Sequence, residues 1–161
     1  MKYVAGAIYC KEGKGMIKRN IVLVGMMGSG KSHIGRKLAV RLGWQFVDTD
    51  RRIERQMGQS IADFFERAGE KVFREREINV LQQVSRYHEA VISFGGNFPM
   101  NIETYRILHR HGYIVALRSQ PYRVEERVGR HIGKRPTVDY DNLHAFVTRM
   151  DAQWKHVYPY C

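Results

Sequence analysis

Cysteine is nearly absent: the 161 residues hold two, Cys10 and Cys161, at opposite ends of the chain. They suggest no disulfide framework, and a reducing, cytoplasmic compartment fits best. Long apolar runs are missing too. None approaches the roughly 18 residues that span a membrane, so no membrane partner is expected. The first residues lack a continuous apolar stretch and a convincing cleavage site, so no secretory signal is expected. No internal repeat, low-complexity tract or linker interrupts the chain, whose 161 residues make about one domain. Acidic residues are few, 16 against 27 Lys and Arg, for a formal charge of +11. Such an excess invites nucleic acid, but the basic residues are spread along the chain rather than gathered into one tract. An enzyme that handles a polyphosphate and an anionic substrate accounts for them better, and no nucleic-acid partner is expected. Hydrophobic content of 43% and charged content of 27% are ordinary for a globular protein. The length suffices for a core without disulfides or structural metal.

What is present centres on Gly25-Met26-Met27-Gly28-Ser29-Gly30-Lys31-Ser32, a match to G-x-x-x-x-G-K-[S/T], the phosphate-binding loop. Its flanks agree. Ile21 to Val24 is an apolar, β-branched run that reads as a buried strand, and Ile34, Leu38 and Leu42 recur at helical spacing before Gly43. In a strand–loop–helix, glycines let backbone N–H groups close around phosphate oxygens, and the helix N-terminus adds partial positive charge. Lys31 would reach the β- and γ-phosphates and the Ser32 hydroxyl would bind Mg²⁺.

The chain then alternates strand and helix. Residues 44–47 read as a second strand that delivers Asp48 and Asp50 at its C-terminal end, where ligands sit in parallel α/β sheets. In extended chain the two carboxylates share a side. One could join the Mg²⁺ shell and the other orient or deprotonate an attacking hydroxyl; an acidic pair favoured by a helix dipole is the plainer alternative. Helical stretches follow over 51–57 and from a capping-box-like Ser60 to Asp63 up to Gly69. A further helix carries Phe73, Ile78, Leu81 and Val84 as its apolar positions, with Arg74 and Glu77 spaced to pair. By pattern alone Arg74 reads as a solvated helix arginine. Residues 91–94 form a third strand, followed by Gly95 and Gly96, which allow close backbone approach to a ligand or make a simple turn. Pro99 and Asn101 start a helix; 113–117 form a fourth strand; Pro121 opens another helix. His109 and His111 lack further ligands nearby and read as surface residues. Residues 129–141 are basic and glycine-containing, a mobile lid over a triphosphate or an ordinary surface loop. A last helix spans 142–158. The alternation predicts a three-layer α/β/α, doubly wound parallel sheet. Residues 1–15 read as a disordered leader or an upstream extension of a start at Met16, and 16–161 as one domain, with substrate-binding helices over about 50–85.

Several of these spacings coincide in one family. Over residues 17 to about 158, the chain resembles shikimate kinase, a small P-loop kinase of the nucleoside-monophosphate kinase type. The resemblance rests on Gly25 to Ser32, Asp48-Thr49-Asp50, Gly69-Glu70 with Phe73-Arg74 and Glu77, Gly95-Gly96, and Arg135-Pro136. It implies transfer of the ATP γ-phosphoryl group to the 3-hydroxyl of shikimate, in aromatic amino-acid biosynthesis, with ATP and Mg²⁺ required. Asp50 would be the base, acting with Lys31 and Arg135. Gly25, Gly28, Ser29, Gly30, Lys31, Ser32, His33, Arg127 and Arg135 would hold ATP, with Arg127 beside the adenine. Ser32 and Asp48 would hold the metal. Asp50, Arg74, Gly95, Gly96 and Arg149 would bind shikimate, the two arginines clamping its carboxylate. Asn97 stands where the family carries a third glycine. Arg149 is followed five residues later by Trp154, where the family has Arg and, four later, Tyr. A fifth strand, an adenine-contacting loop and a terminal helix are expected to be missing, through a shortened chain or with weakened adenine binding. The alternatives are another small-molecule P-loop kinase, such as a gluconate kinase, and a non-catalytic nucleotide-binding relative. A monomer is expected.

Overall fold

The computed structural model describes residues 20–96, 100–130 and 136–161. The expectations for residues 1–15, Asn97, Pro99 and Arg135 fall outside these. In chain order the elements are β1 (Asn20–Val24), α1 (Lys31–Leu42), β2 (Gln45–Asp48), α2 (Thr49–Met57), α3 (Ile61–Val84), β3 (Ala90–Ser93), α4 (Ile102–His111), β4 (Gly112–Ala116), α5 (Pro121–Gly129) and α6 (Leu143–Val157), closed by a 3-10 turn over Tyr158–Tyr160.

The strands line up as β2-β3-β1-β4, every pairing parallel, as the alternation predicts. Side chains along β1 alternate between two cores. Leu23 joins Ala39 of α1 and Val91 of β3 on one face. Val22 and Val24 join the larger core on the other, with Leu81, Leu108, Val124 and Val147 from α3, α4, α5 and α6. Full burial of one such side chain stabilises by about 1.5–3 kcal/mol, so both faces of the sheet are anchored by apolar contact, as buried parallel strands require.

Local chemistry sets the helix boundaries. The Ser60 side chain accepts from the Asp63 N–H at 3.1 Å and starts α3. Asn101 opens α4 with a full capping box through Thr104. The helix ending at Gly69 and the one after it are two segments of α3, joined across a kink at that residue. One apolar assignment is corrected. Ile78 is 41% exposed, and Glu77 takes the inward place. The buried stripe of α3 beyond the kink runs Phe73, Glu77, Val80, Leu81, Val84, so a carboxylate sits on an otherwise apolar face.

β1 is the pivot of the topology. Its connection leads towards β2, while that of β3 leads past β1 to β4, so the loops after β1 and β3 diverge and leave a crevice beyond their C-terminal ends.

Candidate active site

The phosphate loop is wedged into that crevice. Gly25 has φ 134°, and a side chain there would run into the Leu117 carbonyl oxygen at the end of β4. A Cβ on Gly96, beyond β3, would collide with the backbone of Met27. The two glycine loops therefore touch main chain to main chain, a contact only glycine permits. The Lys31 side chain is buried and folds back over the loop, its Nζ donating to the carbonyls of Gly25 and Met26 at 2.7 and 2.9 Å. From α5, Arg127 Nη1 donates to the Gly28 carbonyl at 2.8 Å and braces the loop from outside.

The acidic pair is not extended. Asp48 ends β2 and caps α2, accepting from the Arg51 N–H at 3.4 Å, and Asp50 lies in the first turn of that helix. Capping uses one Asp48 oxygen, as the helix-dipole reading expects, and the other accepts from the Ser32 hydroxyl at 2.7 Å. Thr49, between the two acids, is buried. Its hydroxyl donates to the Ser93 carbonyl at 3.2 Å and accepts from the Gly95 N–H at 3.3 Å. That pin stitches the start of α2 to the end of β3 and sets Asp50 against Gly95, where an added Cβ would lie 2.6 Å from Asp50 Oδ1.

Arg74 comes from α3, just beyond the kink. Its Nη1 donates to Glu77 at 2.6 Å, and its Nε and Nη2 donate to Glu70 at 3.2 and 2.9 Å. Burial works against the guanidinium charge, but the hydrogen bonds and charges of Glu77 and Glu70 outweigh it, and the pKa stands above the ordinary arginine value. Glu77 is the inverse case. Burial raises its carboxyl from 4.5 to about 7; Arg74 pulls it down, and the nearby charges of Asp50 and Glu70 push it up again. Arg74 is thus a half-buried, held side chain rather than a solvated one.

These groups face one cavity of about 480 Å³, walled by Gly28, Gly30, Lys31, Ser32, His33, Asp48, Asp50, Arg74, Gly95, Gly96 and Arg127. Pro136 and Thr137, from the expected lid stretch, also reach it. Ser29 is buried behind the loop, and its hydroxyl has no hydrogen-bond partner among the described residues. Arg149 does not join. The inward face of α6 is Val147, Met150, Asp151 and Trp154, which leaves Arg149 exposed and outside the cavity wall. As walls of the cavity, Glu54, Ile61, Phe65, Ser93 and Phe94 went unnoticed in the sequence, and Glu77 was read there only as a partner for Arg74. The pairing with Arg74 is as the spacing predicts, and the place of Glu77 on a buried stripe four residues after Phe73 is what the sequence reading missed.

A family model described as shikimate kinase matches residues 27–161. The chain belongs to the shikimate kinase family. Over 118 residues it is 42% identical to the shikimate kinase of Symbiobacterium thermophilum, covering 73% of this chain and 68% of that protein. It is 44% identical over 125 residues to that of Prochlorococcus marinus, covering 78% and 63%. A solved structure of the Acinetobacter baumannii shikimate kinase in complex with shikimate superposes with a TM-score of 0.82 at 32% identity, over 88% of this chain and 79% of that one. The Bacteroides thetaiotaomicron shikimate kinase superposes with a TM-score of 0.76 at 30% identity, over 88% and 81%. The chain thus spans roughly two thirds of the length of the curated relatives it matches.

The shikimate kinase family uses ATP with Mg²⁺, and the residues present fit both. Ser32 Oγ and Asp48 Oδ2 are adjacent hard oxygen donors, and Mg²⁺ takes one or two protein oxygens and fills its remaining positions from phosphates and water. No cluster of three or more His, Cys, Asp or Glu able to hold a metal occurs among the described residues. The unpartnered Ser29 hydroxyl and the loop N–H groups at the start of α1 suit phosphate oxygens. No described helix is long and apolar enough to cross a membrane.

Proposed function

We propose that the chain transfers the γ-phosphoryl group of ATP to the 3-hydroxyl of shikimate. The observation that carries this reading is the single cavity in which Lys31, Asp50 and Arg74 face one another across the two glycine loops. Phosphoryl transfer asks mainly for positioning and charge neutralisation. Asp50 accepts the proton of the attacking hydroxyl as the new P–O bond forms, and Thr49 holds it in place for this. Lys31 redirects its ammonium from the loop carbonyls to the transferred phosphoryl oxygens. Arg74 receives the acceptor carboxylate through its planar fork, which a lysine cannot reproduce. Ser32 and Asp48 hold Mg²⁺, which when bound offsets the charge on the phosphates. Arg135 belongs with the phosphate contacts and Arg127 with the nucleotide side. Phe65 and Phe73 supply apolar walls for the acceptor ring.

The test is coupled ADP release. Turnover that requires both shikimate and Mg²⁺ is expected; robust turnover on gluconate with none on shikimate would replace this reading with another small-molecule kinase. We also infer a monomer working in the cytoplasm. Light scattering at the monomer mass and recovery in the cytosolic fraction are the expected results, and a dimer mass or recovery elsewhere would correct that inference.

A further inference from the structure

Arg74 is a wall of two cavities. Beyond it, away from the phosphate loop, opens a second one of about 760 Å³, between the start of α4 and the end of α6. Its lining is mostly aromatic and aliphatic. Tyr105 of α4 and Tyr160 after α6 meet edge to face, ring centroids 6.3 Å apart, and Trp154, Val157 and Ile102 complete the apolar surface. The ionisable groups at its margin are Glu70, Arg74 and His156. The expected second cation, Arg149, lines neither cavity, and α6 brings Trp154 to this one instead. Glu70 holds the Nε–Nη2 edge of Arg74, the edge that a carboxylate occupies with two parallel hydrogen bonds. Glu70 is itself 62% exposed, and an exposed ion pair is weakly held.

We propose that the second cavity binds an aromatic carboxylate. Its carboxylate takes the Arg74 edge in place of Glu70, and its ring lies against Tyr105, Trp154 and Tyr160. Charge complementarity at one end and aromatic surface at the other select this class over polyols and over neutral aromatics. Because Arg74 also faces the catalytic cavity, such a ligand competes with the carboxylate of the acceptor. This competition rests on the phosphotransfer reading; binding itself does not.

Calorimetric titration of the full chain with 3-phenylpropionate tests the site. Saturable one-to-one binding is expected, with butyrate, which lacks the ring, and 3-phenylpropanamide, which lacks the charge, each about tenfold weaker. Tyr160→Ala, at an exposed residue, and Tyr105→Ala, checked by its melting curve, should each weaken the probe several-fold, and Glu70→Gln should tighten it. Absence of saturable heat, equal affinity for all three probes, or indifference to both tyrosine variants overturns the site. In the ADP-release assay the probe should raise KM for shikimate and leave kcat unchanged. Uncompetitive or absent inhibition of an active enzyme overturns the competition. An enzyme inactive on shikimate would refute the phosphotransfer reading, while saturable binding of the probe would still establish the second site.

Discussion

Replacing Gly95 with alanine separates catalytic placement from folding. The backbone at Gly95 is not in the left-handed region, so alanine adds only a methyl group and no backbone strain. That methyl would lie 2.6 Å from Asp50 Oδ1, and ordinary contact begins at 3.4 Å. The carboxylate must therefore retreat by about 0.8 Å. It is the end of a flexible side chain, so the fold can accommodate the change by turning Asp50 aside. The chemistry cannot, because a misplacement of about 1 Å costs on the order of 10²-fold in rate. We expect Gly95→Ala to lower kcat/KM for shikimate by about 10- to 100-fold, or about 1.4–2.7 kcal/mol of transition-state stabilisation. The melting temperature should stay within a few degrees of wild type. Coupled ADP release and a thermal melt on the same preparation decide it. A kcat/KM within about twofold of wild type would refute the placement of Asp50 as base. The same change at Gly96 is expected to behave differently, with a clear loss of stability, because there the new Cβ meets the Met27 backbone, which cannot step aside.

Asp50→Asn should leave the melt nearly intact and lower kcat by about 10²- to 10⁴-fold; near wild-type kcat would remove the base role. Arg74→Lys should raise KM for shikimate more than it lowers kcat, since a point charge replaces a fork, and an unchanged KM would take Arg74 out of acceptor binding. Glu77 gives a prediction of pH dependence. Burial raises its carboxyl from 4.5 to about 7, so between those values the folded chain holds a proton that the unfolded chain has lost. This stabilising contribution is full below pH 4.5 and is lost as the pH rises through about 7. The loss amounts to at most about 3 kcal/mol. Glu77→Gln, isosteric and uncharged, should lose less stability than wild type in urea melts between pH 5 and pH 8; parallel losses would contradict the raised carboxyl.

The parts that were legible in the sequence are those whose chemistry is contiguous. The phosphate loop needs eight adjacent residues between a strand and a helix, and Ile21 to Val24 and Lys31 to Leu42 supply those flanks. Asp48 and Asp50 were readable because a strand end points its residues at the ligand crevice, although the chain turns helical at Thr49 rather than staying extended. Thr49 was not legible as a structural pin, because its partners, Ser93 and Gly95, lie more than forty residues away, whereas the Arg74–Glu77 pair was read from its spacing and only the burial of Glu77 was not. Periodicity placed Ile78 inside because it weighs hydrophobicity, whereas the phase of α3 after the kink at Gly69 is set by packing. The phase of α6 was hidden in the same way. Leu143, Phe146, Val147, Met150 and Trp154 leave more than one inward face open, and only packing into the larger core beside α5 turns Trp154 in and Arg149 out.

A crystal structure of the chain with ADP and shikimate tests the shared cleft most directly. The expected density places the nucleotide phosphates over Gly28 to Ser32, the shikimate 3-hydroxyl within hydrogen-bond reach of Asp50, and its carboxylate on Arg74. Shikimate bound elsewhere, or turned so that its carboxylate leaves Arg74 and its 3-hydroxyl leaves Asp50, would contradict the account.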